Sequence, residues 1–246
     1  MKRFKISFSK RDIVYLCIIL LLAIALALTL VLLMTDKNDG SGEAEKSYYD
    51  LKCESFSVQN ANLAKGQIVF IGDSITDLYA LDGYYSDLPL ATYNRGISGD
   101  TTEGVLKRLK GSLFDIKPSA VVLMIGTNDV GWGREKGEII NTYRDIVDEI
   151  YKELPDVKLY CMSIIPMGKD LFGYGGIDVN LATEKIIEIN SEIEKIALAK
   201  GATYVDLFSL LADENNYLIK NYTDDNLHLN DEGYKIWTAA LKEKLQ

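Results

Sequence analysis

Five short apolar runs, separated by segments of helical periodicity, limit the folds open to this chain. The runs fall at 67–71, 91–94, 120–125, 157–165 and 202–207 and are β-branched and mostly apolar on both faces. A strand with one wet face alternates apolar and polar residues; a strand covered on both faces does not. The intervening segments supply the covers. Val105, Leu106, Leu109 and Leu113 recur at helical spacing after Asp100, which is expected to cap that helix together with Glu103. Ile139, Tyr143, Ile146, Ile150 and Leu154 form a second stripe ended by Pro155. Ala182, Ile186, Ile189, Ile193 and Ile196 form a third, closed by Gly201, and Tyr234, Trp237 and Leu241 begin a last one after Asn230. This alternation predicts an α/β fold, a central parallel sheet between two helical layers.

The N-terminus reads differently. Residues 13–34 contain no charge over 22 positions. As a helix they would reach about 33 Å, enough for a hydrocarbon core of about 30 Å. A secretory signal has a shorter apolar region, about 7–15 residues, with a small-residue cleavage site after it. Here Ala23, Ala25 and Ala27 lie inside the run. The expectation is one uncleaved N-terminal transmembrane helix over 13–34, a basic cytoplasmic tail over 1–12, a polar linker over 35–47 and a globular domain over 48–246. Lys2, Arg3, Lys5, Lys10 and Arg11 precede the span, which points the N-terminus to the cytoplasm and the domain outward, giving a single-pass protein of the cell membrane. The net charge is −9, and the first eleven residues carry +5, so −14 remains for the rest. That acidity argues against a nucleic-acid partner. Of the cysteines, Cys53 and Cys161 suggest no disulfide framework, and Cys161 reads as a small buried hydrophobe.

In parallel sheets, ligands sit beyond the carboxyl ends of the strands, where the strand order reverses. The loops after the strands are therefore where chemistry is expected. The first, within "VFIGDSITDLY", presents Ser74; the second is "NRGISGDTT", with Gly99; the third is "GTNDVGWG", with Asn128. Just before the last helix, "DDNLHLN" holds His228, the only histidine of the chain. A serine hydroxyl needs a base, and an imidazole needs a carboxylate to fix its tautomer. In a turn, Asp225 can supply that carboxylate. The oxyanion formed on attack needs donors already aimed at it, and the Ser74 N–H, the Gly99 N–H and the Asn128 amide are candidates. Taken singly, each of these residues reads as a turn, a cap or a solvated side chain. Together, in order, on post-strand loops, they read as a site. Asp73 and Asp129 are expected to bond loop N–H groups and to play no chemical part.

The four blocks "GDSIT", "SGD", "GTND" and "DNLH" resemble those of the SGNH hydrolases, or GDSL-type esterases and lipases, over 67 to the C-terminus. The resemblance implies a three-layer flavodoxin-like fold. It also implies a serine nucleophile at Ser74, an orienter and base at Asp225 and His228, and an oxyanion hole from Ser74, Gly99 and Asn128. Ile75-Thr76 departs from the leucine of the name-giving motif, at positions that do not touch the chemistry. "YNRGISGDTT" is closer to the acetylhydrolase and sugar O-acetylesterase branches. No metal and no organic cofactor is implied. Trp132, in the loop after Asn128, and Phe172 and Tyr174, in a glycine-rich loop, are candidates to contact substrate; ordinary loop packing is the alternative. The expected function is a membrane-anchored serine esterase that cleaves short acyl groups, acetyl first, from extracellular carbohydrate. A lysophospholipase-type lipid esterase, an acyltransferase to glycan and an inactive glycan-binding module are the alternatives.

Overall fold

The apolar runs become strands. β1 (Ile68–Gly72), β2 (Thr92–Gly96), β3 (Ala120–Met124), β4 (Lys158–Met162) and β5 (Thr203–Val205) form one sheet in the order β2-β1-β3-β4-β5, with every pairing parallel. Gly72 lies opposite Gly96 on one side and Met124 on the other, so three strands end level. The chain steps from β1 to β2 on one side and then returns past β1 to β3. The order therefore reverses at β1, and a crevice opens beyond its carboxyl end.

The computed structural model describes residues 46–171 and 175–246, together with 26, 28 and 29. The helices, in chain order, are α1 (Tyr48–Asn60), α2 (Ser74–Asp77), α3 (Leu81–Tyr85), α4 (Thr102–Leu109), α5 (Thr127–Gly131), α6 (Lys136–Glu153), α7 (Val179–Lys200), α8 (Phe208–Leu211) and α9 (Asp231–Leu241). Successive strand residues point to opposite faces, and both faces are covered. Val69, Ile71, Val121, Leu123 and Leu159 pack with Val105, Leu109, Ile139, Tyr143, Ile186 and Ile193 from α4, α6 and α7. Ile68, Phe70, Val122, Met124 and Met162 pack with Tyr79, Tyr85, Tyr234, Trp237 and Leu241, which brings α9 to the other face. This is the three-layer α/β architecture read from the sequence.

Several details differ from expectation. The cap of α4 is Thr101, whose Oγ1 accepts from the Gly104 N–H at 3.2 Å. Asp100 turns inward instead, to the buried Arg108, with Nε 2.7 Å from its Oδ2. β4 stops at Met162, although the apolar run continues to Ile165. The Ser163 N–H makes a last backbone bond, to the Val205 carbonyl at 3.0 Å, and beyond it side chains replace the ladder: Ser163 Oγ accepts from the N–H groups of Leu207 and Phe208, at 2.9 and 2.7 Å. The Asn190 amide brackets Ile164, accepting from its N–H at 2.8 Å and donating to its carbonyl at 2.9 Å. Helix α1 was not legible as an apolar stripe, because Phe56 is its one fully buried residue. Gly201, at φ +74°, closes α7, and Asn230 caps α9 through the Gly233 N–H, both as expected. Cys53 and Cys161 are free thiols, Cys161 buried.

The chain divides into two compact units, Met1–Lys46 and Ser47–Gln246. The 13–34 run lies outside the described residues except for Leu26, Leu28 and Thr29, which are helical. Among the described residues, no helix is long and apolar enough to cross a membrane.

Candidate active site

The site begins where β1 ends. A side chain at Gly72 would place its Cβ 2.1 Å from the Met124 carbonyl oxygen and 2.4 Å from Thr76 Oγ1. Only glycine lets the strand finish against β3 and turn at once into α2. Asp73 caps that helix, its Oδ1 accepting from the Ile75 N–H at 3.0 Å. Asp73 is fully buried. Burial pushes its carboxyl up to about 7 against the opposing Ile75 hydrogen bond, and the Asp100 and Asp129 charges push the same way. Ser74 is the first residue of α2, so its backbone N–H is one of the donors that a helix leaves unused.

Although 154 residues away along the chain, His228 meets this serine, with Nε2 2.9 Å from Ser74 Oγ. Its Nδ1 lies 2.6 Å from Asp225 Oδ2. The other oxygen, Asp225 Oδ1, accepts from the N–H groups of His228 at 2.7 Å and Leu227 at 2.9 Å, around Asn226 at φ +68°. Burial alone would raise the Asp225 carboxyl. The His228 ring and the two backbone donors outweigh it and hold the group at about 2. Asp225 is therefore a carboxylate under all ordinary conditions. The turn is tied to the nucleophile from below: Tyr234, in α9, donates its hydroxyl to the Ile75 carbonyl at 2.8 Å. Tyr79, which follows α2, stacks on the Tyr234 ring at 4.5 Å.

The second and third loops bring Gly99 and Asn128 to the same end of the sheet. Gly99 holds φ +80°, a left-handed conformation that side chains disfavour. Asn128 is buried in α5, and its Nδ2 donates to the Asp100 carbonyl at 2.8 Å, which fixes the direction of an amide with two hydrogens to give. Two buried side chains brace these loops. Asp129 accepts from the Thr102 N–H (2.9 Å), Thr102 Oγ1 (2.7 Å) and Arg134 Nη1 (2.9 Å). Arg108 binds Asp100, donates through Nη1 to the Arg95 carbonyl (2.8 Å) and Ser112 Oγ (3.0 Å), and through Nη2 to the Gly72 carbonyl (3.0 Å). It thus links the ends of β1 and β2 to the Gly99 loop. Sequence reasoning did not single out Arg108. Its signal was a charge three residues after Val105, on the buried stripe of α4.

The candidate substrate residues fare differently. Trp132 is 55% exposed and, with Tyr49, Gly99, Glu103 and Lys107, lines an open groove of about 260 Å³ beside the Gly99 loop. Phe172 and Tyr174 lie outside the described residues. A hydroxyl, an imidazole and a carboxylate in sequence suit acyl transfer.

Residues 70–236 match the model of the GDSL-like lipase/acylhydrolase family. Over 184 residues the chain is 30% identical to platelet-activating factor acetylhydrolase IB subunit alpha1 of Bos taurus, covering 73% of this chain and 75% of that one. A Streptococcus pneumonia structure named for platelet activating factor superposes with TM-score 0.74 at 27% identity, covering 90% of this chain and 99% of that one. A catalytic mutant of an acetylxylan esterase from Geobacillus stearothermophilus shares the fold, with TM-score 0.60 at 21% identity, covering 74% of this chain and 95% of that one.

Proposed function

The chain belongs to the GDSL-like lipase/acylhydrolase family and is an ester-hydrolysing enzyme; from that premise we propose that Ser74 is its nucleophile, His228 its base and Asp225 the orienter. The observation that carries this reading is the 2.9 Å contact between His228 Nε2 and Ser74 Oγ. Ser74 Oγ attacks the ester carbonyl carbon as its proton passes to Nε2, and the imidazolium is stabilised by the Asp225 carboxylate. The carbonyl electrons move onto oxygen, and the Ser74 N–H, the Gly99 N–H and the Asn128 amide donate hydrogen bonds to the oxyanion. The tetrahedral adduct collapses, the C–O bond to the alcohol breaks, and His228 returns the proton to the leaving oxygen. Water then attacks the acyl-enzyme with the same base, releasing the acid and Ser74.

We further propose a short acyl group, acetyl first, on an extracellular carbohydrate, with the domain held outside the cell by a transmembrane helix over 13–34. Support comes from the second sequence block, from the 22 uncharged residues and from the basic residues before them. A lipid ester is the second reading, favoured by relatives named as platelet-activating factor acetylhydrolases. The test is a series of p-nitrophenyl esters from acetyl to palmitoyl, with wild type and Ser74→Ala. Acetyl preference, lost in Ser74→Ala, supports a short acyl group, and faster release of acetate from acetylated xylan than from an acetylated phospholipid then supports the carbohydrate; the reverse order, or palmitoyl preference, supports the lipid ester. Product divided between water and an added glycan acceptor would mark a transferase. No hydrolysis of any ester would leave the glycan-binding module. A chain lacking residues 1–46 should be soluble and active if the anchor is separable.

A further inference from the structure

We propose that Asp77 is a positioning residue for the oxyanion hole, and that helix α1, which precedes the family-matched residues 70–236, is the element that holds Asp77 in place. The inference rests on the reading that the Ser74 and Gly99 N–H groups receive the oxyanion. Those two donors come from different segments, so something must set their spacing. Asp77 is the last residue of α2, the helix that Ser74 begins. Its Oδ2 accepts from both the N–H of Ser98, at 3.1 Å, and Ser98 Oγ, at 2.9 Å. Ser98 directly precedes Gly99. A single carboxylate on the nucleophile's helix therefore grips the loop that carries the second donor.

The carboxylate is itself held from α1. Lys52 Nζ lies 2.7 Å from Oδ1, and the Tyr48 hydroxyl donates to Oδ2 at 2.8 Å. The side chains of Lys52 and Asp77 are only 27% and 11% exposed, so water competes weakly for this pair. Burial alone would raise the Asp77 carboxyl; the Lys52, Tyr48 and Ser98 hydrogen bonds bring it below its ordinary value, so it grips as an anion. The rest of α1 serves the same end. Tyr49 donates its hydroxyl to the Gly104 carbonyl at 2.9 Å, and the side chains of Gln59 and Asn60 each accept from Arg95 at 3.0 Å. Apart from Phe56, α1 buries little apolar surface. Its bonds tie it to Asp77, to β2 and to α4 on either side of the Gly99 loop.

The test compares kcat and KM for p-nitrophenyl acetate in full-length variants. Asp77→Ala should lower kcat by roughly 10²-fold, with KM unchanged and the acid limb of the pH profile in place, because His228 is not touched. Tyr48→Phe and Lys52→Ala should lower kcat less, and Lys52→Arg should restore it. If Asp77→Ala does not fold, the two α1 variants decide, since both change partly exposed side chains. Wild-type kcat in Asp77→Ala, or in both α1 variants, overturns the proposal. So does a kcat loss accompanied by a moved acid limb, or one that Lys52→Arg fails to rescue. Failure of the underlying mechanism looks different: Ser74→Ala would then keep wild-type activity.

Discussion

Two arms meet at Ser74, and opposite kinds of force hold them. The base arm is the 225–228 turn backed by α9, and its support is aromatic: Phe70, Tyr79, Tyr85, Tyr234 and Trp237 pack ring against ring, with centroids 4.5 to 6.4 Å apart. The oxyanion arm is the 97–102 loop with α5, and its support is ionic: Asp77, Arg108 and Asp129, each with several partners. Apolar packing is strong but has no direction. It can seat a helix, and the short bonds of the turn then aim the ring. Oxyanion donors need direction more than strength, and hydrogen bonds supply it. The two supports also fail differently. An apolar core loses stability in proportion to the volume removed. A buried ion pair fails abruptly, because the surviving charge is left without a partner.

The sharpest way to separate the arms is to remove one entirely. His228→Ala should lower kcat on p-nitrophenyl acetate by about 10⁶-fold, and Ser74→Ala/His228→Ala should be no worse, since the two act as a unit. Asp225→Asn should cost about 10⁴-fold through the wrong tautomer. What survives in His228→Ala belongs to the oxyanion arm. Adding Asn128→Ala to that background should remove a further 10²–10³-fold or so. If the residual rate survives Asn128→Ala, the oxyanion arm does not act as described.

Next in size is a contrast in stability. Trp237 is fully buried in the base arm, and Trp237→Ala should destabilise by about 3–5 kcal/mol. Below its melting transition, this variant should keep near-wild-type kcat, because the Tyr234 bond to Ile75 remains. Arg108→Met should destabilise by a similar 3–5 kcal/mol or so, as it strands Asp100. Here kcat should fall as well, because the Asp100 carbonyl aims the Asn128 amide. Urea unfolding and kcat measured on the same two proteins check both halves. Equal kcat in the two variants would erase the distinction between the arms.

The same contrast governs what the sequence disclosed. The base arm and the sheet were legible because burial on both faces leaves unbroken apolar runs, and because Trp237 and Tyr234 recur at helical spacing. The oxyanion arm's support was not. Lys52, Asp77 and Arg108 are charged residues, and charged residues usually face water; which of them meet is decided by tertiary contacts that no periodicity encodes. Helix α1 was missed for that reason, although Ser47 and Asp50 form a reciprocal cap at its start, a signal that was there to be read. The overlong strand at 157–165 is the converse case. Ser163 and Asn190 satisfy a buried backbone without a ladder, and an apolar run cannot distinguish that from a strand. The five site residues, Ser74, Gly99, Asn128, Asp225 and His228, were legible as positions beyond the strand ends, but the 2.9 Å approach of His228 to Ser74 and the Tyr234–Ile75 bond beside it join segments 154 residues or more apart, which only the folded chain reveals.

The last contrast compares two carboxyls that flank Ser74, one inside the fold and one at the base. Asp73 is raised to about 7 by burial, whereas an unfolded aspartate titrates near about 3.9. Between those values the folded chain binds the proton that the unfolded chain has lost, so stability falls as pH rises through the window. Asp225 has the opposite sign. Held at about 2, its contribution is complete above about 3.9 and is lost as pH falls toward 2. Asp73→Asn keeps an oxygen for the Ile75 N–H and removes the titration. Its unfolding free energy, measured in urea at several pH values between about 4 and 7, should therefore decline less with rising pH than that of the wild type. Asp225→Asn should leave that window unchanged and reduce the loss below it. Parallel profiles for wild type and Asp73→Asn would mean that Asp73 is ionised in the folded protein, and that burial at the nucleophile's turn opposes its charge less than the enclosed position implies.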